Sequence, residues 1–399
     1  MRQSSRRGLL ALLAAVLILA LLALGLLVFR RFQAEAPAAP SASPAETLPA
    51  AATPVPDTPS PSPTEDPVSV RAREILAGMD DREKICQLFV VYPDDIAGVG
   101  SITYAGEETR LGLERYPVGG LVYAQGNILS REAVTEMIRT QQSWSQIPLL
   151  TCVDEEGGRV TRVMGNLDTT WLDAMYTYRD QGPEAARQNA VTVASDLLAL
   201  GFNTDFAPVA DVWSNPQNTV IGDRAYSDDF AQAAELVGAA VEGFESQGLL
   251  CCLKHFPGHG DTQEDSHYGT AYVNKTLEEL RQAELLPFQT GIEAGADMVM
   301  VGHLTVPALD DKPATVSHAI VTGLLREELG FDGVVITDSL EMSAATGMAL
   351  GDGELCVQAL EAGCDLLLGP GNLAAAVDGV TAAVPAPPGD FPAVCTESQ

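Results

Sequence analysis

Eight short apolar runs alternate with stretches of helical periodicity through roughly the last 330 residues of the chain. Polar and ionisable residues gather just after these runs rather than before them. The two observations predict an α/β fold, a single (β/α)8 barrel, with its chemistry at the carboxyl ends of the strands. A third, an apolar segment near the N-terminus followed by a Pro-rich stretch, predicts that a transmembrane helix and a disordered linker precede the barrel.

The membrane segment comes first. Residues 8–29 (GLLALLAAVLILALLALGLLVF) form an uninterrupted run of 22 residues. As a helix it is about 33 Å long, against a hydrocarbon core of about 30 Å. Arg2, Arg6 and Arg7 precede it, and Arg30 and Arg31 follow it. The arginines and the α-amine favour a cytoplasmic N-terminus. Residues 1–33 are therefore expected to be a stub and single-pass signal-anchor, holding the remainder at the cell membrane on the extracytoplasmic side. Secretion after cleavage near Ala34-Glu35-Ala36 is the alternative, although cleaved segments usually have apolar cores of about 7–15 residues. Residues 34–66 are dominated by Pro, Ala, Ser and Thr and read as an extended linker.

The barrel is expected over residues 67–385, with a C-terminal tail at 386–399. Its candidate strands are 87–91, 120–123, 149–153, 204–208, 249–253, 298–301, 334–337 and 365–368. Helical patterns fall between them, for example at 183–200, 229–247, 277–294 and 319–329. Thr276 with Glu279 three residues later is a capping-box pattern. Eight such units fit a TIM-type barrel with some enlarged loops. A doubly wound sheet would normally show a Gly-rich phosphate turn after its first strand, and none follows Val91.

Composition narrows the function. Of 399 residues, 46% are hydrophobic and 19% charged, which excludes a wholly disordered chain and a polytopic membrane protein. The net charge is −31. The first 31 positions hold five arginines and no acid, so the remainder carries 18 basic against 54 acidic side chains, −36. A nucleic-acid partner is excluded, because phosphate binding needs a basic surface. The cysteines, at 86, 152, 251, 252, 356, 364 and 395, are odd in number and mostly lie in apolar runs, so buried free thiols are expected.

The strand ends supply the candidate site. The third run leads into Asp154, the fourth toward Asp211, the fifth into Lys254-His255, the sixth into His303 and the seventh into Asp338. The segment KHFPGHGDTQEDSH (254–267) holds three of the five histidines. Three readings of it stay open on composition: a metal site of His255, His259, Asp261 and His267; a structural loop; or an acid/base dyad of Asp265 and His267, whose carboxylate would raise the imidazole pKa and fix its tautomer.

KHFPGHGDTQEDSH, followed about 70 residues later by GVVITDSLEM (333–342), resembles glycoside hydrolase family 3. The likeness is nearest to its single-domain bacterial β-N-acetylglucosaminidases (β-N-acetylhexosaminidases). VDEEGGRVTR (153–162), FNTDFAPVADV (202–212), GDRAYSDD (222–229) and AGCDLLLGP (362–370) match in the family's order. The resemblance implies that Asp338 is the nucleophile of a retaining mechanism and that Asp265 and His267 are the general acid/base pair. It also implies that Asp154, Arg162, Arg224, Lys254, His255 and Met342 bind a glycan substrate. Buried ion pairs are the plainer reading of the two arginines, and a helix N-cap that of Asp338. Side chains would supply both nucleophile and acid, so no cofactor and no metal is expected.

The chain departs from many members of that family in having only a short Pro-rich stretch after the barrel. The expected activity is removal of terminal N-acetylglucosamine from cell-wall-derived or other extracellular glycans. The competing readings are a glycoside phosphorylase, a β-glucosidase or β-xylosidase, a catalytically silent glycan-binding wall protein, and a metal-dependent hydrolase.

Overall fold

The computed structural model describes residues 66–262, 271–342, 345 and 347–384. The anchor expected at 8–29, the linker to residue 65, Asp265, His267 and the tail from 386 lie outside the described residues. Among those described, no helix is long and apolar enough to cross a membrane.

Ten strands occur among the described residues: β1 (Phe89–Val91), β2 (Gly120–Val122), β3 (Leu150–Val153), β4 (Thr204–Asp205), β5 (Leu250–Phe256), β6 (Ala271–Tyr272), β7 (Met298–Val301), β8 (Leu304–Thr305), β9 (Val334–Thr337) and β10 (Leu367–Leu368). Eight of them run parallel in the order β10-β1-β2-β3-β4-β5-β7-β9, and a bridge between Ile336 and Leu366 joins the two ends. The result is the expected eight-stranded parallel barrel. The remaining pair, β6 and β8, forms a small parallel ribbon.

Alternation along each strand explains why the runs read as continuously apolar. Val90, Val122, Cys152, Phe206, Cys252, Met298, Met300, Ile336 and Leu368 pack together as one cluster inside the barrel. Their neighbours, such as Phe89, Leu121, Val153, Val299 and Val335, belong to the larger cluster beneath the helices. A strand covered on both faces has no solvent side and no polar positions to alternate with.

The helices follow the expected pattern with one correction. Helix Phe230–Gln247 starts where the Asp229 side chain accepts the Gln232 N–H and stops at Gly248, whose φ is +73°. The capping box at Thr276 and Glu279 is formed, with Glu279 Oε2 accepting the Thr276 N–H at 2.8 Å. The single helix expected over 277–294 is instead two, Leu277–Arg281 and Leu285–Glu293. Pro287 accounts for the break: it has no N–H to give the carbonyl of Ala283, and its ring crowds that carbonyl. Asp66, the first described residue, caps helix Pro67–Gly78 by accepting the Ser69 N–H. The six described cysteines are buried and unpaired.

Candidate active site

A cavity of about 730 Å3 opens at the carboxyl ends of the strands. Asp154 after β3, Lys254 and His255 on β5 and Asp338 after β9 all line it. So do Arg162, Arg224 and Met342 from the loops. The described residues that the resemblance assigns to the site therefore meet in one place, whereas Asp211 and His303, the other strand-end candidates, do not line the cavity. Lys254 and His255 were expected just past the fifth strand; they lie within it. The pairing of β5 with β7 shifts register between Leu253 and Phe256. Such an irregularity re-aims side chains, so two consecutive residues reach the cavity where a regular strand would send them to opposite faces.

An ion network forms one wall. Lys254 Nζ lies 2.7 Å from Asp154 Oδ1 and 2.7 Å from Glu156 Oε1. Arg224 grips Glu156 with two parallel bonds, Nε to Oε2 at 2.7 Å and Nη2 to Oε1 at 2.8 Å. Arg162 Nη2 stands 3.7 Å from Asp154 Oδ2. Both arginines thus make ion pairs while lining the cavity. Burial alone would raise the Glu156 pKa, but the Arg224 and Lys254 charges hold it far below the ordinary value. Burial would lower that of Lys254, yet Asp154 and Glu156 keep it above the ordinary amine value, so it stays an ammonium.

Asp211 orients His255. Its Oδ2 lies 2.7 Å from His255 Nδ1, and its Oδ1 accepts the His259 N–H at 2.6 Å. With Nδ1 engaged by Asp211, the other ring nitrogen, Nε2, lies 3.5 Å from Arg224 Nη2. Gly260 lets this loop close: a Cβ there would stand 1.6 Å from the Val212 carbonyl oxygen.

Asp338 has its N–H on the Val301 carbonyl, and its Oδ1 accepts the N–H of the adjacent Ser339 at 2.8 Å. Residues 339–342 form a turn, so Asp338 does not cap a helix starting directly after it. Burial would raise its pKa; His255, His303, the Ser339 N–H and Lys254 outweigh that and hold it below the ordinary value. The carboxylate is ionised and faces the cavity. His303 is fully buried behind it, with Nδ1 2.7 Å from Thr315 Oγ1 and Nε2 2.9 Å from the Ser339 carbonyl. It ties the loop after β7 to the segment carrying Asp338.

Sequence reasoning missed three residues. Glu156 is the shared counter-ion of two buried cations, and the need to neutralise Lys254 and Arg224 was the available signal. Glu155 accepts the N–H groups of Arg162, Val163 and Met164 at 2.7, 2.8 and 2.9 Å and so fixes the Arg162 loop. Tyr92 follows β1 and lines the cavity; the strand-end rule, applied to the first strand, would have found it.

The histidines of the β5 loop do not gather as ligands among the described residues. The His255 and His259 rings are 6.0 Å apart, and His259 Nδ1 lies 2.8 Å from Thr262 Oγ1. The one described group with metal-ligand spacing, Glu245, Cys251 and Asp297, sits at the strand starts of β5 and β7, away from the cavity.

A parallel barrel whose strand ends bring a carboxylate and an ion network to one cavity is the arrangement expected of a glycoside hydrolase. Residues 81–387 match the glycosyl hydrolase family 3 N terminal domain. The chain is 40% identical over 278 residues to a beta-hexosaminidase of Stenotrophomonas maltophilia, covering 68% of this chain and 82% of that one. It is 37% identical over 279 residues to Beta-hexosaminidase A of Pseudoalteromonas piscicida, covering 65% of this chain and 46%, about half, of that protein. A solved family 3 beta-N-acetylglucosaminidase from Paenibacillus sp. str. FPU-7 superposes with a TM-score of 0.72 at 38% identity, over 77% of this chain and 58% of that one. The chain belongs to glycosyl hydrolase family 3.

Proposed function

We propose that the protein is a retaining, exo-acting β-N-acetylglucosaminidase that removes terminal β-linked N-acetylglucosamine from cell-wall-derived or other extracellular glycans. The observation that carries this reading is the convergence of Asp338 with Asp154, Arg162, Arg224, Lys254, His255 and Met342 on one cavity. The ionic wall binds ring hydroxyls and places the anomeric carbon against Asp338. The Asp338 carboxylate attacks that carbon and the aglycone departs, leaving a covalent glycosyl-enzyme. His267, paired with Asp265, gives its proton to the departing oxygen and then takes one from the water that releases the sugar. The names of the relatives support N-acetylglucosamine as the sugar. The apolar run at 8–29 supports a single-pass anchor with the barrel on the extracytoplasmic side.

The test is turnover of an aryl β-N-acetylglucosaminide beside the matching glucoside and xyloside, each with and without phosphate. Free N-acetylglucosamine of retained configuration is expected, and Asp338→Asn abolishes it. Sugar 1-phosphate as the product would make the protein a phosphorylase. Faster cleavage of glucoside or xyloside would displace the N-acetylglucosamine assignment.

A further inference from the structure

The cavity wall divides into two arcs. From β3 through β5 it is ionic, and Asp338 stands just after β9. The opposite arc, from β10 through β1 to β2, is made by Leu368, Tyr92 and Val122. Of these three residues only Tyr92 carries a polar side-chain group; Ser339 and Glu341, which also line the cavity beside it, belong to the segment that follows Asp338. The Tyr92 ring lies against Gly369: a Cβ there would meet Tyr92 Cε2 at 3.5 Å and Ser339 Oγ at 3.0 Å, and the φ of +52° also favours glycine. Its backbone N–H goes to Asp95 Oδ2, but its hydroxyl has no hydrogen-bond partner among the described residues. Burial, then the nearby Asp154 and Glu341 carboxylates, keep the phenol protonated and therefore a donor.

A pyranose with C1 at Asp338 has C4 across the ring. Its C3 and C4 hydroxyls then meet the charged partners on β3 to β5, leaving the C2 edge and the C5–C6 edge for the remaining walls. An acetamido group brings both an N–H and a carbonyl, and against Val122 and Leu368 one of them would go unpaired. A hydroxymethyl group brings one methylene and one hydroxyl, which is what this arc can satisfy.

We infer that Tyr92 is a specificity-determining residue, its hydroxyl bonding the C6 hydroxyl of the terminal sugar while Val122 and Leu368 pack on the C5–C6 edge. The assignment rests on the proposed reaction and names the group by which a hexoside is told from a pentoside.

The experiment compares the full-length protein and Tyr92→Phe on an aryl β-N-acetylglucosaminide and its 6-deoxy analogue. Loss of one neutral hydrogen bond corresponds to roughly a three- to tenfold fall in kcat/KM. The wild type is expected to show that fall on the 6-deoxy substrate. Tyr92→Phe is expected to show it on the parent and no further fall on the analogue. Tyr92→Phe that still discriminates by the wild-type factor, or a wild type that does not discriminate at all, overturns the inference. So does a Tyr92→Phe variant whose altered preference is between 2-acetamido and 2-hydroxy sugars. If the wild type cleaves glucosides instead, the proposed reaction fails by itself, and the same comparison on an aryl β-glucoside and its 6-deoxy form still decides the role of Tyr92.

Discussion

Glu156 and Arg224 are locked by two parallel hydrogen bonds of 2.7 and 2.8 Å in the wall of the cavity, and Lys254 shares the same carboxylate. Removing Glu156 would leave two cations, the Lys254 side chain only 2% exposed, facing each other with Asp154 as the nearest remaining acid. Glu156→Ala is therefore expected to destabilise the fold by about 3–5 kcal/mol, the range for an uncompensated buried charge. Denaturant unfolding measures it. Arg224→Lys keeps the charge but loses the two-pronged grip, so it should raise KM while costing less stability. An unchanged denaturation midpoint in Glu156→Ala would contradict the network.

The proposed nucleophile sets an acid limb. Asp338 must be ionised to attack, and its carboxyl is held below the ordinary value, against its burial, by His255, His303, the Ser339 N–H and Lys254. The fall of kcat/KM on acidification should therefore come below the usual carboxylate range, and His255→Ala should move it to higher pH. The same depression links to stability. Asp338, Glu156 and Asp211 all have lowered pKa values in the fold. A depressed carboxyl contributes stability that is present above its unfolded pKa, about 4, and is lost as pH falls through the folded value. Stability should hold above roughly pH 4–5 and decline below it. A pH series of unfolding free energies checks both the sign and the window.

How much of this was legible follows from what each residue must satisfy locally. The strands were readable because residues such as Val90 and Val299 are apolar on whichever face they point to, and Asp338 was readable because it ends one of these runs. The extension of β5 through Lys254 and His255 was not, since two polar residues look like a strand end until the register shift and the Asp154, Glu156 and Asp211 partners are seen. Glu156 stayed hidden for the converse reason. Beside Asp154 in a run of acids it looks like one more solvated charge, and only the approach of Arg224, 68 residues away in sequence, shows what it neutralises. Pro287 could have warned of the helix break from its position alone.

The Arg162 loop hangs on Glu155, which takes three successive backbone N–H groups and is itself held where Asp205 Oδ1 accepts its N–H at 2.9 Å. Glu155 does not line the cavity, so its effect must pass through Arg162. Glu155→Ala should raise KM by roughly tenfold or more, as three buried N–H groups lose their acceptor, and should alter kcat less. Glu155→Gln offers one oxygen where two served and should fall between. A loss confined to kcat, with KM unchanged, would place Glu155 in the chemistry instead.

The cysteines give a prediction independent of the sugar. All six described thiols are buried without disulfide partners. Burial pushes Cys86 up to about 11, and Cys356 and Cys364 to about 12. The thiolate is the reactive form, so near pH 8 these groups are both shielded and protonated. A chromogenic disulfide reagent added to the native protein should find at most one reactive thiol, Cys395, and all seven after denaturation. Reducing agent should leave the unfolding temperature unchanged. Rapid native labelling at Cys86 would show that helix Asp81–Cys86 opens away from the barrel, and a fall in unfolding temperature under reduction would reveal a covalent link the fold does not need.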